Sequence, residues 1–253
     1  VLKLLKWIVI LVLLVVVGGV AYYSFYPDIG RLKKRNPGKT AFMQYREAEW
    51  KARGKKLKIQ QRWVRFSNIS PYMVKAVIIA EDDKFWSHQG FDFDAIEKAI
   101  EKDLKKGAFT HGGSTISQQL VKNLYLSPSK NPVRKLTEAL LTWRMEKTLS
   151  KRRILELYLN VAEWGEGIFG VEAAAIRYYG KPAAALSAEE AARLAAVLPN
   201  PRRYSVTGSS RFVQRRAQVI YTIMVKRGIV VPAYEEAVKE PEQPVAAPEV
   251  ETR

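Results

Sequence analysis

A mainly α-helical domain behind one N-terminal transmembrane helix is the fold class this sequence predicts, and three features predict it. No residue from Trp7 to Tyr26 is charged, helix-start signals recur along the rest of the chain, and apolar residues return at helical spacing between them. With 253 residues and 47% hydrophobic content there is ample material for a buried core in one large or two small domains. The absence of cysteine excludes a disulfide framework, a thiolate metal site and a cysteine nucleophile, and the two histidines, His88 and His111, argue against a histidine-rich metal site. Forty-two Lys and Arg against 25 Asp and Glu leave a net charge of +17, which calls for an acidic partner: nucleic acid, anionic lipid or a phosphorylated substrate.

The run WIVILVLLVVVGGVAYYSFY has about the length that crosses a bilayer as a helix. Lys3 and Lys6 precede it, and Trp7, Tyr22, Tyr23 and Tyr26 sit at its two ends, where amphipathic rings favour the headgroup level. This predicts a cytoplasmic N-terminus, residues 1–26 as a single-pass anchor, and an exported remainder. Arg31, Lys33, Lys34 and Arg35 after the span oppose that orientation, but long domains translocate largely regardless of charge. The alternatives are a cleaved signal peptide, for which Gly19-Val20-Ala21 offers small residues, and a buried core helix.

Residues 27–60 are rich in Lys, Arg and Gly and read as a basic juxtamembrane connector, able to lie on anionic lipid or to act as a solvated linker. Residues 61–240 form the helical domain. Ser70-Pro71 and Asn131-Pro132 pair an N-cap with a first-turn proline, and Ser187-Ala188-Glu189-Glu190 is a capping box. Apolar residues at helical spacing fill 72–80, 133–149, 153–161, 171–179, 188–198 and 212–225. A short alternation around Ile59–Phe66 suggests a strand, and the Pro- and Glu-rich tail 241–253 has almost nothing to bury and reads as disordered.

Three clusters carry the candidate chemistry. In EDDKFWSHQGFD, residues 81–92, acids stand at the C-terminus of an apolar helix, the wrong end of its dipole, among aromatics that can raise a carboxylate's pKa. A solvated acidic turn is the plain alternative. In HGGSTISQQLVKN, residues 111–123, two glycines lead into a helix start with free N–H groups suited to an anion, or Ser114 merely caps an ordinary helix. In residues 130–160, Arg134, Glu138 and Leu141 share a face with Lys135 beside them, and Lys151, Arg152 and Arg153 follow. Surface ion pairs and a solvated helix start are the alternatives there, but so many cations near an acidic helix suit a doubly charged phosphate ester.

EDDKFWSHQGFD, GGSTISQQLVKN, RKLTE, KRRILELYLN and GIFGVEAAAIRYYGK resemble, in order, the five motifs of the peptidoglycan glycosyltransferases, the family-51 enzymes that polymerise lipid II. The resemblance covers roughly residues 62–225. No penicillin-binding transpeptidase segment is in the sequence, and NVAEWGEGIFGVEAAAIRYYGKPA with AAVLPNPRRY resembles the monofunctional biosynthetic type of Gram-negative bacteria. The implied fold is a lysozyme-like helical lobe plus a smaller membrane-associated jaw.

Carried over by position, the resemblance implies Glu81 as the base that deprotonates the acceptor sugar's 4-hydroxyl, with Asp82 in the same motif. It implies Glu138 near the donor pyrophosphate, with a divalent cation, Mg or Mn, as a candidate there and no organic cofactor. Lys122, Lys130, Arg134 and Lys135 fall on basic donor-binding positions, Lys130 replacing a frequent arginine. Ser114, Gln118 and Gln119 match a motif that lines the cleft, while Glu156 and Asn160 match one read as structural. The implied partners are lipid II, the growing glycan strand, the membrane, and cell-wall synthesis or division proteins, with a periplasmic catalytic domain. A lysozyme-like lytic enzyme is the rival reading. Export and the lack of a recognisable module argue against nucleic acid.

Overall fold

The computed structural model describes residues 2–106, 113–128 and 132–231. Its helices are α1 (Leu2–Phe25), α2 (Ala41–Ala52), α3 (Pro71–Glu81), α4 (Phe93–Lys106), α5 (Ile116–Tyr125), α6 (Pro132–Thr148), α7 (Lys151–Val161), α8 (Val171–Tyr179), α9 (Ala188–Val197) and α10 (Arg211–Lys226). Short strands β1 (Gln60–Gln61), β2 (Glu163–Gly165) and β3 (Ile168–Phe169) form one small sheet in the order β1-β3-β2. β1 runs parallel to β3, and β2 antiparallel to it. The molecule is mainly α-helical, as the apolar spacing predicts.

The core gathers around α3, whose Met73, Ala76 and Val77 are fully buried, while Lys75 in the same apolar run stays exposed. α3 packs on α9 and α10, while α5 packs on α6, α7 and α2. A hydrogen bond from Gln119 of α5 to Glu81 ties the C-terminal end of α3 to the second group. The capping box at Ser187 forms as expected, with Glu190 reaching back to the Ser187 N–H at 2.8 Å.

Several expectations change. Ser70 stands at the N-cap of α3, but its hydroxyl donates to the Leu186 carbonyl at 2.8 Å, tying α3 to the loop before α9 instead of capping its own helix. The strand expected over 59–66 shrinks to Gln60–Gln61, because Val64 pairs with a side chain: its N–H donates to Asn160 Oδ1 and its carbonyl accepts from Asn160 Nδ2. The segment read as a connector is partly folded onto the domain, with Ile29, Leu32, Met43 and Trp50 buried and α2 lying on α5. Arg46 of α2 donates to Glu163 Oε2 at 2.9 and 3.0 Å, so even its charges are used to hold it. The 241–253 tail and the expected end of the compact region near 240 lie outside the described residues.

α1 is one continuous helix of 24 residues. Among the described residues, no helix is long and apolar enough to cross a membrane. At its C-terminal end, where carbonyls lack intrahelical partners, Arg144 of α6 donates to the Tyr23 carbonyl at 2.7 Å and to those of Phe25 and Pro27.

Candidate active site

Two adjacent carboxylates at the end of α3 turn in opposite directions. Asp82 is the residue after the helix, buried, and its oxygens are taken within the protein: Oδ2 accepts from Ile116 N–H at 2.9 Å and Oδ1 faces His88 Nε2 at 2.8 Å. His88 Nδ1 accepts from Gly90 N–H, which leaves Nε2 to carry the proton towards Asp82. Asp82 therefore takes the first of the N-terminal amides of α5 that the sequence suggested for an outside anion. The cap itself is Thr115, not Ser114. Thr115 Oγ1 accepts from Gln118 N–H, and Gln118 Oε1 accepts from Thr115 N–H at 3.0 Å. Thr115 also donates to the Gly90 carbonyl, and Gly90, at φ +92°, is held so close to α6 that a Cβ would lie 2.9 Å from Thr142.

Glu81 points the other way, into the junction of α3, α5 and α10. Its Oε2 accepts from Gln119 Nε2 at 2.9 Å and its Oε1 from Arg216 Nη2 at 3.2 Å. Arg216 also donates to the Ala80 carbonyl at 2.8 Å, which fixes the guanidinium across the end of α3. With only 11% of the side chain exposed, burial pushes the carboxyl's pKa above its ordinary value. The hydrogen bond from Gln119, then the charge of Arg216, work in the opposite direction, with Lys122 further off. The result is a desolvated carboxylate that is still reachable, the environment that suits a general base.

The Gln119 amide has one orientation that satisfies both neighbours. An ionised carboxylate only accepts, so Nε2 must face Glu81, which leaves Oε1 to accept from the Tyr158 hydroxyl at 3.0 Å. Tyr158 is fully buried, and burial followed by the fields of Glu81 and Asp82 raises its pKa well above the ordinary value. It therefore remains a donor throughout the working range.

The second cluster lies on α6. Glu138 is buried, with 4% of its side chain exposed; Oε2 accepts from Arg134 at 2.8 Å and Oε1 from Lys135. It is not the surface ion pair that stood as the alternative. Lys122 of α5 lies within the fields of both acids: burial lowers its pKa, Glu138 raises it, Arg134 and Lys135 lower it, and Glu81 raises it. Glu81, Gln119, Lys122, Arg134, Lys135 and Glu138 are thus brought together by the Gln119–Glu81 hydrogen bond from α5 to the end of α3 and by the packing of α5 on α6.

The remaining candidates among the described residues do not join them. Asp82 and Gln118 serve the α5 cap, Ser114 is exposed beside it, and Lys130 lies outside the described residues, as does His111. Of the cations at the start of α7, Lys151 binds Glu146 at 2.8 Å. Arg153 binds Glu156 and the Leu32 carbonyl, and Arg152 lies over the Phe66 ring, so all three are used in packing. Glu156 and Asn160 bond to the backbone of Phe66 and Val64. Arg216 and Tyr158 contact this candidate site although no sequence motif points to them. The available signal was an arginine and a tyrosine set against the buried stripes of amphipathic helices, Val213-Ala217-Ile220 and Ile154-Leu155-Tyr158.

A helical enzyme with a desolvated carboxylate facing a cation cluster is the class this geometry defines. The family model described as Transglycosylase matches residues 50–225, and the chain belongs to that family. A protein of Nitrosospira multiformis named biosynthetic peptidoglycan transglycosylase is 51% identical over 194 residues, covering 77% of this chain and 84% of that protein. One of the same name from Dechloromonas aromatica is 50% identical over 189 residues, 75% of this chain and 82% of the relative. One from Janthinobacterium sp. is 44% identical over 218 residues, 86% of this chain and 94% of the relative.

Proposed function

We propose that the protein polymerises lipid II into peptidoglycan glycan strands with release of undecaprenyl pyrophosphate. The sugar of lipid II is α-linked to pyrophosphate and the product linkage is β, so a single in-line displacement with inversion suffices and no covalent nucleophile is needed. Glu81 takes the proton of the acceptor 4-hydroxyl as its oxygen attacks the donor's anomeric carbon. Lys122, Arg134 and Lys135 stabilise the charge that collects on the departing pyrophosphate. Glu138 keeps Arg134 and Lys135 fixed on α6. The observation that carries this reading is a buried, hydrogen-bonded Glu81 and an Arg134–Lys135–Glu138 cluster with Lys122 in the fields of both acids.

A divalent cation fits the described residues poorly. Both Glu138 oxygens accept from cationic side chains, and among the described residues no cluster of three or more His, Asp or Glu side chains could hold a metal ion. No step above is routed through one.

In the same reading α1 is the membrane anchor and the catalytic domain is periplasmic. What supports the anchor is the sequence itself, in which no residue from Trp7 to Tyr26 is charged. Phe93 and Ile100 of α4, with Trp86, are exposed and give the jaw an apolar surface to set against the bilayer. Anchoring enzyme and lipid-linked substrate in one surface raises their effective concentration. The test is incubation of the purified protein with labelled lipid II in detergent. Glycan polymer supports the proposal, whereas unchanged lipid II, or muropeptide fragments released from added glycan strands, would overturn it.

A further inference from the structure

Where α1 meets the domain there is a cavity of about 550 Å³, on the opposite end of α5 from its cap and outside the catalytic group described above. Its walls differ in chemistry. Tyr22 and Tyr26 from the end of α1 lie with ring centroids 5.2 Å apart, and Tyr125 from the end of α5 contributes a third ring. Arg31 and Arg35 line the other side and are exposed, with Asp28 as the acid among them; Lys39 also lines it but is paired with Glu47 at 2.7 Å. The cations therefore exceed the single lining acid.

The backbone around this cavity is fastened to the catalytic body. Arg144 holds the carbonyls of Tyr23, Phe25 and Pro27, as described above. Arg153 of α7 donates to the carbonyls of Leu32 and Arg35, at 2.8 and 3.0 Å, and to Asn36 Oδ1 at 2.8 Å. Ile29 and Leu32 are buried beneath the same turn. A tether would gain nothing from such fastening, whereas a binding site needs its walls held before the ligand arrives. Arg153 takes the Arg35 backbone carbonyl, and Arg35 is exposed and lines the cavity.

We infer that this cavity binds the phosphate headgroup of an anionic membrane lipid, with Arg31 and Arg35 on the phosphate and the tyrosine rings beside the glycerol and first acyl carbons. The inference rests on the reading of α1 as the membrane anchor, which puts the cavity at the membrane–water boundary. There, rings with polar tips and cations facing anionic lipid are both favoured.

The test uses the full chain in a non-ionic detergent, titrated calorimetrically with short-chain phosphatidylglycerol, short-chain phosphatidylcholine and inorganic phosphate. Saturable binding of one phosphatidylglycerol is expected, weaker by roughly tenfold or more for the other two and for the Arg31→Gln/Arg35→Gln variant. Both side chains are exposed, so the variant should fold; an unchanged helical spectrum confirms that, and Arg35→Glu alone provides a second substitution. The control Lys56→Gln/Lys58→Gln removes two cations of the same segment that lie outside the cavity and should bind like the parent. Unchanged binding by the arginine variants, an equal loss in the control, or phosphate binding as tightly as the lipid would each overturn the inference. Flotation of the full chain with pure phosphatidylcholine vesicles reports the anchor separately, and polymerisation of lipid II reports the activity, so neither reading can fail unnoticed behind the other.

Discussion

Gln119 donates to Glu81 at 2.9 Å across the α3–α5 contact, and this bond joins the candidate base to the rest of the core. It lowers the carboxyl's pKa against the effect of burial, and its direction depends on what Gln119 meets on its far side.

Tyr158→Phe removes the donor that sets that direction. The Gln119 amide is then free to turn, Glu81 loses a bond that favours its charged form, and its pKa rises further. Turnover should fall by on the order of tenfold to a hundredfold through lost positioning, with a stability cost of about 1 kcal/mol. The diagnostic reading is the acid limb of the pH–rate profile, which should move to higher pH. A lower rate with an unmoved limb would mean that Tyr158 acts on folding alone.

Glu81 should also limit stability. Its folded pKa lies above the ordinary 4.5, so the native state holds the proton more tightly than the unfolded chain. Stability is thus fullest below that ordinary value and falls as pH rises through the folded one. Glu81→Gln carries no charge to desolvate, and thermal melts at neutral pH should show it at least as stable as the parent, with its relative advantage shrinking as pH is lowered below 4.5. A variant that is destabilised only at neutral pH would reverse the sign.

Asp82 has a different task. Asp82→Ala leaves the Ile116 N–H and the His88 Nε2 proton without their partner in a buried place, which should cost about 2–3 kcal/mol in denaturant titration. If Asp82→Ala instead melts normally and loses only activity, its carboxylate belongs to the substrate site and not to the α5 cap.

Arg134→Met and Lys135→Met should both weaken donor engagement and slow polymerisation, but they should differ in stability. Lys135 has 52% of its side chain exposed and Arg134 only 20%, while their shared partner Glu138 is buried. Lys135→Met should cost under about 1 kcal/mol, and Arg134→Met about 1–3 kcal/mol, because it strips more of the compensation from a buried carboxylate. Equal costs in melts of the two variants would contradict this ranking.

How far the sequence leads depends on whether a feature is local. The helices over 71–81, 132–148, 151–161, 171–179, 188–197 and 211–226 follow from apolar spacing and caps, which neighbouring residues decide among themselves. Ser187 with Glu190 is such a case. Ser114 and Thr115 are adjacent and chemically alike, and only the path of the chain makes Thr115 the cap. Arg216 lies 135 residues from Glu81, so that no local pattern connects them, and it is the packing of α10 on α3 that does. Lys151 and Arg153 look like surplus cations until Glu146 and the turn at Leu32 are folded against them. The basic composition of residues 27–60 hides Met43 and Trp50, two widely spaced apolar residues whose burial needs α5 and the sheet as partners.

The central claim is that Glu81 is the base of the glycosyl transfer, and single-turnover polymerisation of labelled lipid II by Glu81→Gln, alongside a binding titration of the same substrate, tests it most directly. Gln keeps the size of the side chain and can still accept from Arg216, so lipid II should bind as it does to the parent while the rate falls by about 10² to 10⁴. A rate within a few fold of the parent would contradict the account and move the base to another group in the cleft.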